Sequence, residues 1–402
     1  MSTPIDVSGK PAGSVCEAGR YQLSLTAPGS HVLAREAGRG NLIIGPASLG
    51  KKADLHVMPD DSIDWTAFNP FSTPAGSPWP RHFDYCGNDS SFFAWSRQRG
   101  IEQFGWAPVY AGRRAIDASE ARIQTLHIRL DRMPGHLDAA LPPLQHLALS
   151  GDLARITVAG QLPGMLSLHP TLGRRPGPPG YALPGLGVLQ DVAALALHGA
   201  PLGQAITLRG IERFGALESL SLWGRFTDWD ALAGLPRLTN LELRFTPDLE
   251  GLPALGSWPL LDRFIAYNVD EAAGKRLKAQ MKAREKIRVW SGHTSVSKLR
   301  KPDWWQSEYG RPFAGWSGRM AKAANAAYDV AQTALEGARH VEDAQAAITE
   351  FARQFNGMKG IETTEREDIG EAVWQFSQLA RLGQLGVSEA QAQRWFDEAR
   401  DY

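Results

Sequence analysis

Two hexapeptides 21 residues apart constrain this chain more than anything else in it: Leu217-Glu218-Ser219-Leu220-Ser221-Leu222 and Leu238-Thr239-Asn240-Leu241-Glu242-Leu243. Each carries aliphatic side chains at relative positions 1, 4 and 6. In an extended segment, side chains two apart share a face, so positions 4 and 6 point inward while 5 and 7 point outward. Each copy therefore predicts a strand with one buried row and one exposed row.

Weaker copies flank this pair at Ile123-Leu126-Ile128, Leu144-Leu147-Leu149, Val192-Leu195-Leu197 and Leu261-Phe264, with half-copies at Leu166-Leu168 and Ile287-Val289. Their fourth positions, 126, 147, 166, 195, 220, 241, 264 and 287, are spaced by 21, 19, 29, 25, 21, 23 and 23 residues. Periods of that size predict a solenoid. On these residues the stretch of roughly 121–292 resembles bacterial leucine-rich repeat proteins, although most copies lack the Asn or Cys that usually follows the ladder. The resemblance implies a mixed α/β fold. It would consist of an irregular leucine-rich repeat solenoid between a β-rich N-terminal domain and an α-helical C-terminal domain.

The remaining segments are assigned by their patterning. Residues 1–20 are rich in Gly, Ser and Pro and predict a disordered tail. Short apolar runs punctuated by Gly and Pro over 21–117, with aromatics crowded between Trp65 and Trp106, predict a β-rich domain capping the repeats. The solenoid spans 118–292, with Asp228–Leu235 and Asp270–Glu285 running back along its convex side. An aromatic connector, 293–316, contains Trp304, Trp305 and Trp316. Beyond it, 317–402 predicts four helices. Val341, Ala344, Ile348, Phe351 and Phe355 fall on one helical face, and Ile369, Val373, Phe376 and Ala380 on another.

Composition narrows the function classes. Lys plus Arg and Asp plus Glu number 43 each, so a net charge of zero gives no reason to expect a nucleic-acid partner. No apolar run is long enough for a signal peptide or a membrane span, which predicts a cytoplasmic protein without a membrane partner. Two cysteines, Cys16 and Cys86, make no disulfide framework.

Local motifs offer little chemistry. Gly45-Pro46-Ala47-Ser48-Leu49-Gly50-Lys51-Lys52 follows an apolar run as a phosphate loop would. However, Lys52 stands where a metal-binding hydroxyl is required and no long helix is expected next, so an ordinary turn is predicted. His82, Asp84 and Cys86 alternate on one expected strand without an identifiable further ligand or base, which favours a buried thiol. The acids of Glu362–Asp368 are read as helix capping, with Thr364 and Glu367 as a capping box and Ser388–Gln391 repeating the arrangement. No metal and no cofactor is expected.

The exposed row carries the functional expectation. The residues just after each ladder are Arg129, Ser150, His169, His198, Trp223, Arg244, Tyr267 and Trp290, with Glu242 and Arg263 on adjacent outward positions. Trp, Tyr and Arg dominate binding hot spots because they combine large contact area with polar contacts. Arg129, His198, Trp223, Glu242, Arg244, Arg263, Tyr267 and Trp290 are therefore the candidate protein-binding residues. The irregular ladder, followed by a helical tail with Ile361-Glu362-Thr363-Thr364-Glu365-Arg366-Glu367-Asp368, resembles immunity proteins of polymorphic toxin systems. That resemblance implies a non-enzymatic protein holding a toxin on its concave face. Two alternatives remain open: an effector enzyme using Lys51, His82, Asp84 or Cys86, and an adaptor for several partners.

Overall fold

The computed structural model describes residues 3–402 and divides into two compact units, 1–300 and 301–402. The chain is mixed α/β, and its largest element is a twelve-stranded sheet in the first unit. All neighbouring strands in that sheet run parallel. From Asn41–Gly45 onward, strands lie side by side in chain order: His82–Cys86, Ile101–Ala107, Ile123–Arg129, His146–Gly151, Met165–Pro170, Ala194–His198, Ser219–Trp223, Asn240–Thr246, Arg263–Asp270 and Thr294–Arg300. The two-residue strand Leu55–His56 lies outside Asn41–Gly45 at one edge.

The ladder residues are in register. Leu126, Leu147, Leu166, Leu195, Leu220, Leu241 and Phe264 are successive cross-strand partners. The row continues toward the N-terminus through Phe104, Phe83 and Leu42. None of these ten side chains is more than 2% exposed. Burying an aliphatic side chain contributes about 1.5–3 kcal/mol, so a continuous row holds successive strands at one register.

The sheet crosses residue 117 without a break, so the expected boundary between an N-terminal domain and the repeats falls between adjoining strands of one sheet. The aromatics of 65–106 are its core rather than a cap. Trp65, Phe68, Phe83, Tyr85, Phe92, Phe104 and Trp106 are all buried. The Phe92 and Phe104 rings stack at 3.9 Å, and Trp65 meets Tyr85 edge-on at 5.3 Å. Residues 1–20 depart from the expected tail from the third residue on: Ile5–Asp6 pairs with Gly19–Leu23, and Val7 and Val15 are buried.

The return side is mostly not helical. Three-stranded parallel sheets form from Arg113–Asp117, His136–Leu141 and Ile156–Gly160, and from Tyr181–Ala182, Ile206–Thr207 and Phe226–Thr227. Trp229–Gly234 is a 3-10 turn, whereas Glu271–Glu285 is an α-helix capped by Asp270, whose carboxylate accepts from the Ala273 amide at 2.8 Å.

The second unit contains helices Pro302–Tyr309, Gly318–Glu336, Val341–Arg353, Thr363–Ser377, Ala380–Gln384 and Glu389–Ala399. Ala344, Ile348, Phe351, Phe355, Ile369, Val373 and Phe376 are buried together. Ala380 is exposed, because the third long helix ends at Ser377 and a new short one begins at Ala380. The 293–316 connector is likewise corrected. Thr294–Arg300 is a strand of the first unit, while Phe313 and Trp316 join the core of the second.

Candidate functional site

The face of the large sheet opposite the ladder carries three rows. The residue before each core position gives Thr125, His146, Met165, Ala194, Ser219, Asn240 and Arg263. The middle row is His127, Ala148, Ser167, Ala196, Ser221, Glu242 and Ile265. The third is Arg129, Ser150, His169, His198, Trp223, Arg244 and Tyr267. Ala148, Ser167 and Ala196 are at most 8% exposed although they point away from the core. On these three strands the middle of the face is thus sunk, and at the ends of the row His127, Glu242 and Ile265 fill it with larger side chains.

Arg129, His198, Trp223, Glu242, Arg244 and Tyr267 are half-buried on this face, and Arg263 is exposed. Trp290 is not in the row. Its indole packs on the Glu271–Glu285 helix, donates to the Met281 carbonyl at 3.5 Å and lies 5.0 Å from the Arg284 guanidinium. The half-copy that placed it there fails as a strand: Ile287 and Val289 are 90% and 75% exposed, and Ser297 is the true partner of Tyr267. Trp290 therefore drops out of the candidate interface.

At the C-terminal end of the face an aromatic cluster forms. Trp223 lies 5.3 Å from Phe245, which lies 5.8 Å from Tyr267. The Arg244 guanidinium pairs with Glu242 and sits 5.8 Å from the Tyr267 ring. Strict alternation would send Phe245 inward. It emerges because its φ is +51°, the left-handed region. The same strand-exit position is left-handed in Gly151, Gly224, Asn268 and Lys298. For an aromatic residue this conformation costs on the order of 1–3 kcal/mol, and such strain concentrates at functional sites. Phe245 is the member of the face that sequence pattern did not reveal.

The middle of the face is a histidine group. His127 Nε2 meets Ser150 Oγ at 3.1 Å and His146 Nε2 meets Ser167 Oγ at 2.8 Å, while His169 and His198 stack at 4.0 Å. Burial, reinforced by Arg129 and His169, pushes His127 down to about 4. Burial, reinforced by His169 and His146, does the same to His198. Burial lowers His146 and His169 as well. Folding therefore favours neutral imidazoles here, and their stabilising contribution is full above the ordinary value of 6.5 and lost as pH falls towards 4. Unfolding free energy should drop over that window in urea titrations. The drop should be shallower in a His127→Asn, His198→Asn variant than in the parent; parallel curves would contradict the assignment.

Toward the N-terminal end the face opens into a cavity of about 310 Å³ at the carboxyl ends of four strands. Asp84, Cys86, Lys52, Arg129, Asp131 and Arg132 line it over Ile43, Ile44, Leu49 and Ala107. Asp84 and Arg129 form a 2.8 Å ion pair. This pair lies so close over Gly105 that a Cβ there would meet Asp84 Oδ1 at 2.3 Å. His82 shares the strand but turns to Glu102 at 3.7 Å, and Lys51 is exposed outside the lining. Cys86 is a free, buried thiol on the wall of this cavity.

Other motifs are structural. Gly45–Lys52 leads only into the 3-10 helix Ala47–Lys52. Glu365 accepts from the Glu362 amide at 3.1 Å, two residues earlier than the expected Thr364–Glu367 box, while Ser388 does cap through Gln391. Asp368 accepts from the Trp316 indole at 2.9 Å. Among the described residues there is no cluster of His, Cys, Asp or Glu able to hold a metal, and no helix is long and apolar enough to cross a membrane. No protein-family model matches this chain, and neither does any curated protein or solved structure.

Proposed function

We propose that the first unit is an irregular leucine-rich-repeat solenoid and that the protein is a non-enzymatic binder of another folded protein, acting as an immunity protein that neutralises a bacterial toxin. The observation that carries this reading is the Trp223–Phe245–Tyr267 cluster with its Glu242–Arg244 pair, half-exposed on an ordered sheet face. Rigid aromatic anchors with an oriented guanidinium are what hot spots require, and side chains held in advance lose less entropy on association. Arg263 and Arg129 would form the charged rim, which tunes encounter more than affinity. Occlusion of the toxin's catalytic cleft by this face would supply inhibition without chemistry of its own.

The test is expression alone and beside a toxin encoded next to it. The protein alone should be harmless and should relieve the toxin's lethality. Trp223→Ala combined with Arg244→Ala should weaken the complex by tenfold or more, with an unchanged melting temperature. Toxicity of the protein by itself would favour an effector instead, and unchanged affinity would move the interface to another surface.

A further inference from the structure

The cavity beside Arg129 is not used by the aromatic end of the face, and its chemistry points to a different kind of ligand. Its volume of about 310 Å³ lies at the small end of the range for small-molecule sites. Its apolar lining comes from Ile43, Ile44, Leu49 and Ala107, and its charged lining from Asp84, Arg129, Asp131 and the exposed Lys52 and Arg132.

Those polar groups are unequal. Asp84 is neutralised by Arg129 at 2.8 Å, and Asp131 is held by Thr171 at 3.3 Å and Ser150 at 3.5 Å. Lys52 and Arg132 line the cavity without an ion pair among the described residues. Counting Lys52, Arg129 and Arg132 against Asp84 and Asp131 leaves three minus two, one unbalanced positive charge. A single carboxylate balances it, a phosphate dianion overshoots it, and an amine adds to it. Arg and Lys beside a carboxylate also supply charge-assisted hydrogen bonds.

We infer that this cavity binds a small monocarboxylic acid, its apolar body against Ile43, Leu49 and Ala107 and its carboxylate toward Lys52 and Arg132. Cys86, only 7% exposed and on the cavity wall, provides a reporter. In full-length protein carrying Cys16→Ser, which removes the exposed thiol, hexanoate should slow alkylation of Cys86 by iodoacetamide at least threefold. Hexan-1-ol and hexylammonium should not. By calorimetry, Lys52→Ala combined with Arg132→Ala should weaken hexanoate binding at least tenfold while circular dichroism and melting temperature stay constant. Equal protection by hexan-1-ol, undiminished binding by the double variant, or tighter binding of hexyl phosphate than of hexanoate would each overturn the assignment. The Trp223→Ala, Arg244→Ala protein keeps this cavity, so loss of partner binding and loss of hexanoate binding are separable results.

Discussion

Leu220→Ala is expected to lower the unfolding free energy of the first unit by about 2–5 kcal/mol, read from the shift of its urea midpoint at constant slope. Leu220 is 1% exposed and sits mid-row, with Leu195 and Leu241 directly opposite on either side. Truncation removes about three methylene-sized groups from a site that two neighbouring strands cannot both collapse to fill. The transfer cost and the residual cavity therefore add. A change below about 1 kcal/mol would mean that the row is not close-packed.

Gly224→Ala should cost about 3 kcal/mol or more, through backbone rather than core. Gly224 has φ +106°, and a Cβ would lie 2.3 Å from the Gly199 carbonyl oxygen and 2.5 Å from its carbon. The Gly199 amide donates to the Trp223 carbonyl at 2.7 Å, and the Gly224 amide donates to Arg244 at 3.1 Å. The added methyl thus forces apart two strand exits whose hydrogen bonds fix that distance, on top of the strain of a left-handed alanine. Gly215→Ala is the matched control, since its Cβ meets nothing within 4 Å, and it should change stability by no more than about 0.5 kcal/mol. Comparable effects at both positions would sink the steric argument.

The ladder was legible because aliphatic alternation reports burial directly. From Leu126 to Phe264 the predicted fourth positions are one register row, even across the 29-residue gap between 166 and 195. The sheet's extension to Asn41 was not legible, because the inward positions of the two strands next to Ile123–Arg129 are aromatic (Phe83, Tyr85, Phe104, Trp106), so a search for aliphatic triplets stops at Ile123 before reaching Leu42 and Ile44. At the other end Ile287 and Val289 imitate the pattern outside any strand. The true strand begins at Thr294 and turns only Val296 into the core among its buried residues. Of the candidate face, the residues on alternating positions could be listed from sequence. Phe245 could not, since its outward direction comes from a positive φ that no period of two encodes. The cavity was hidden for another reason: Lys52, Asp84 and Arg132 lie far apart along the chain and are gathered only by the stacking of strands.

A parallel array of this width has to stop somewhere, and where it stops, its amides and carbonyls become a template for another chain. At the N-terminal border the last strand, Leu55–His56, is two residues long, and its His56 carbonyl is within 2.7 Å of the His31 imidazole. A stub of that length, with its carbonyl already engaged, offers too few free groups for a second copy to continue the array. Brevity limits strand-by-strand continuation on that side, and Asp54 before the stub and Pro59 after it add a charge and a ring that a pairing strand would have to accommodate.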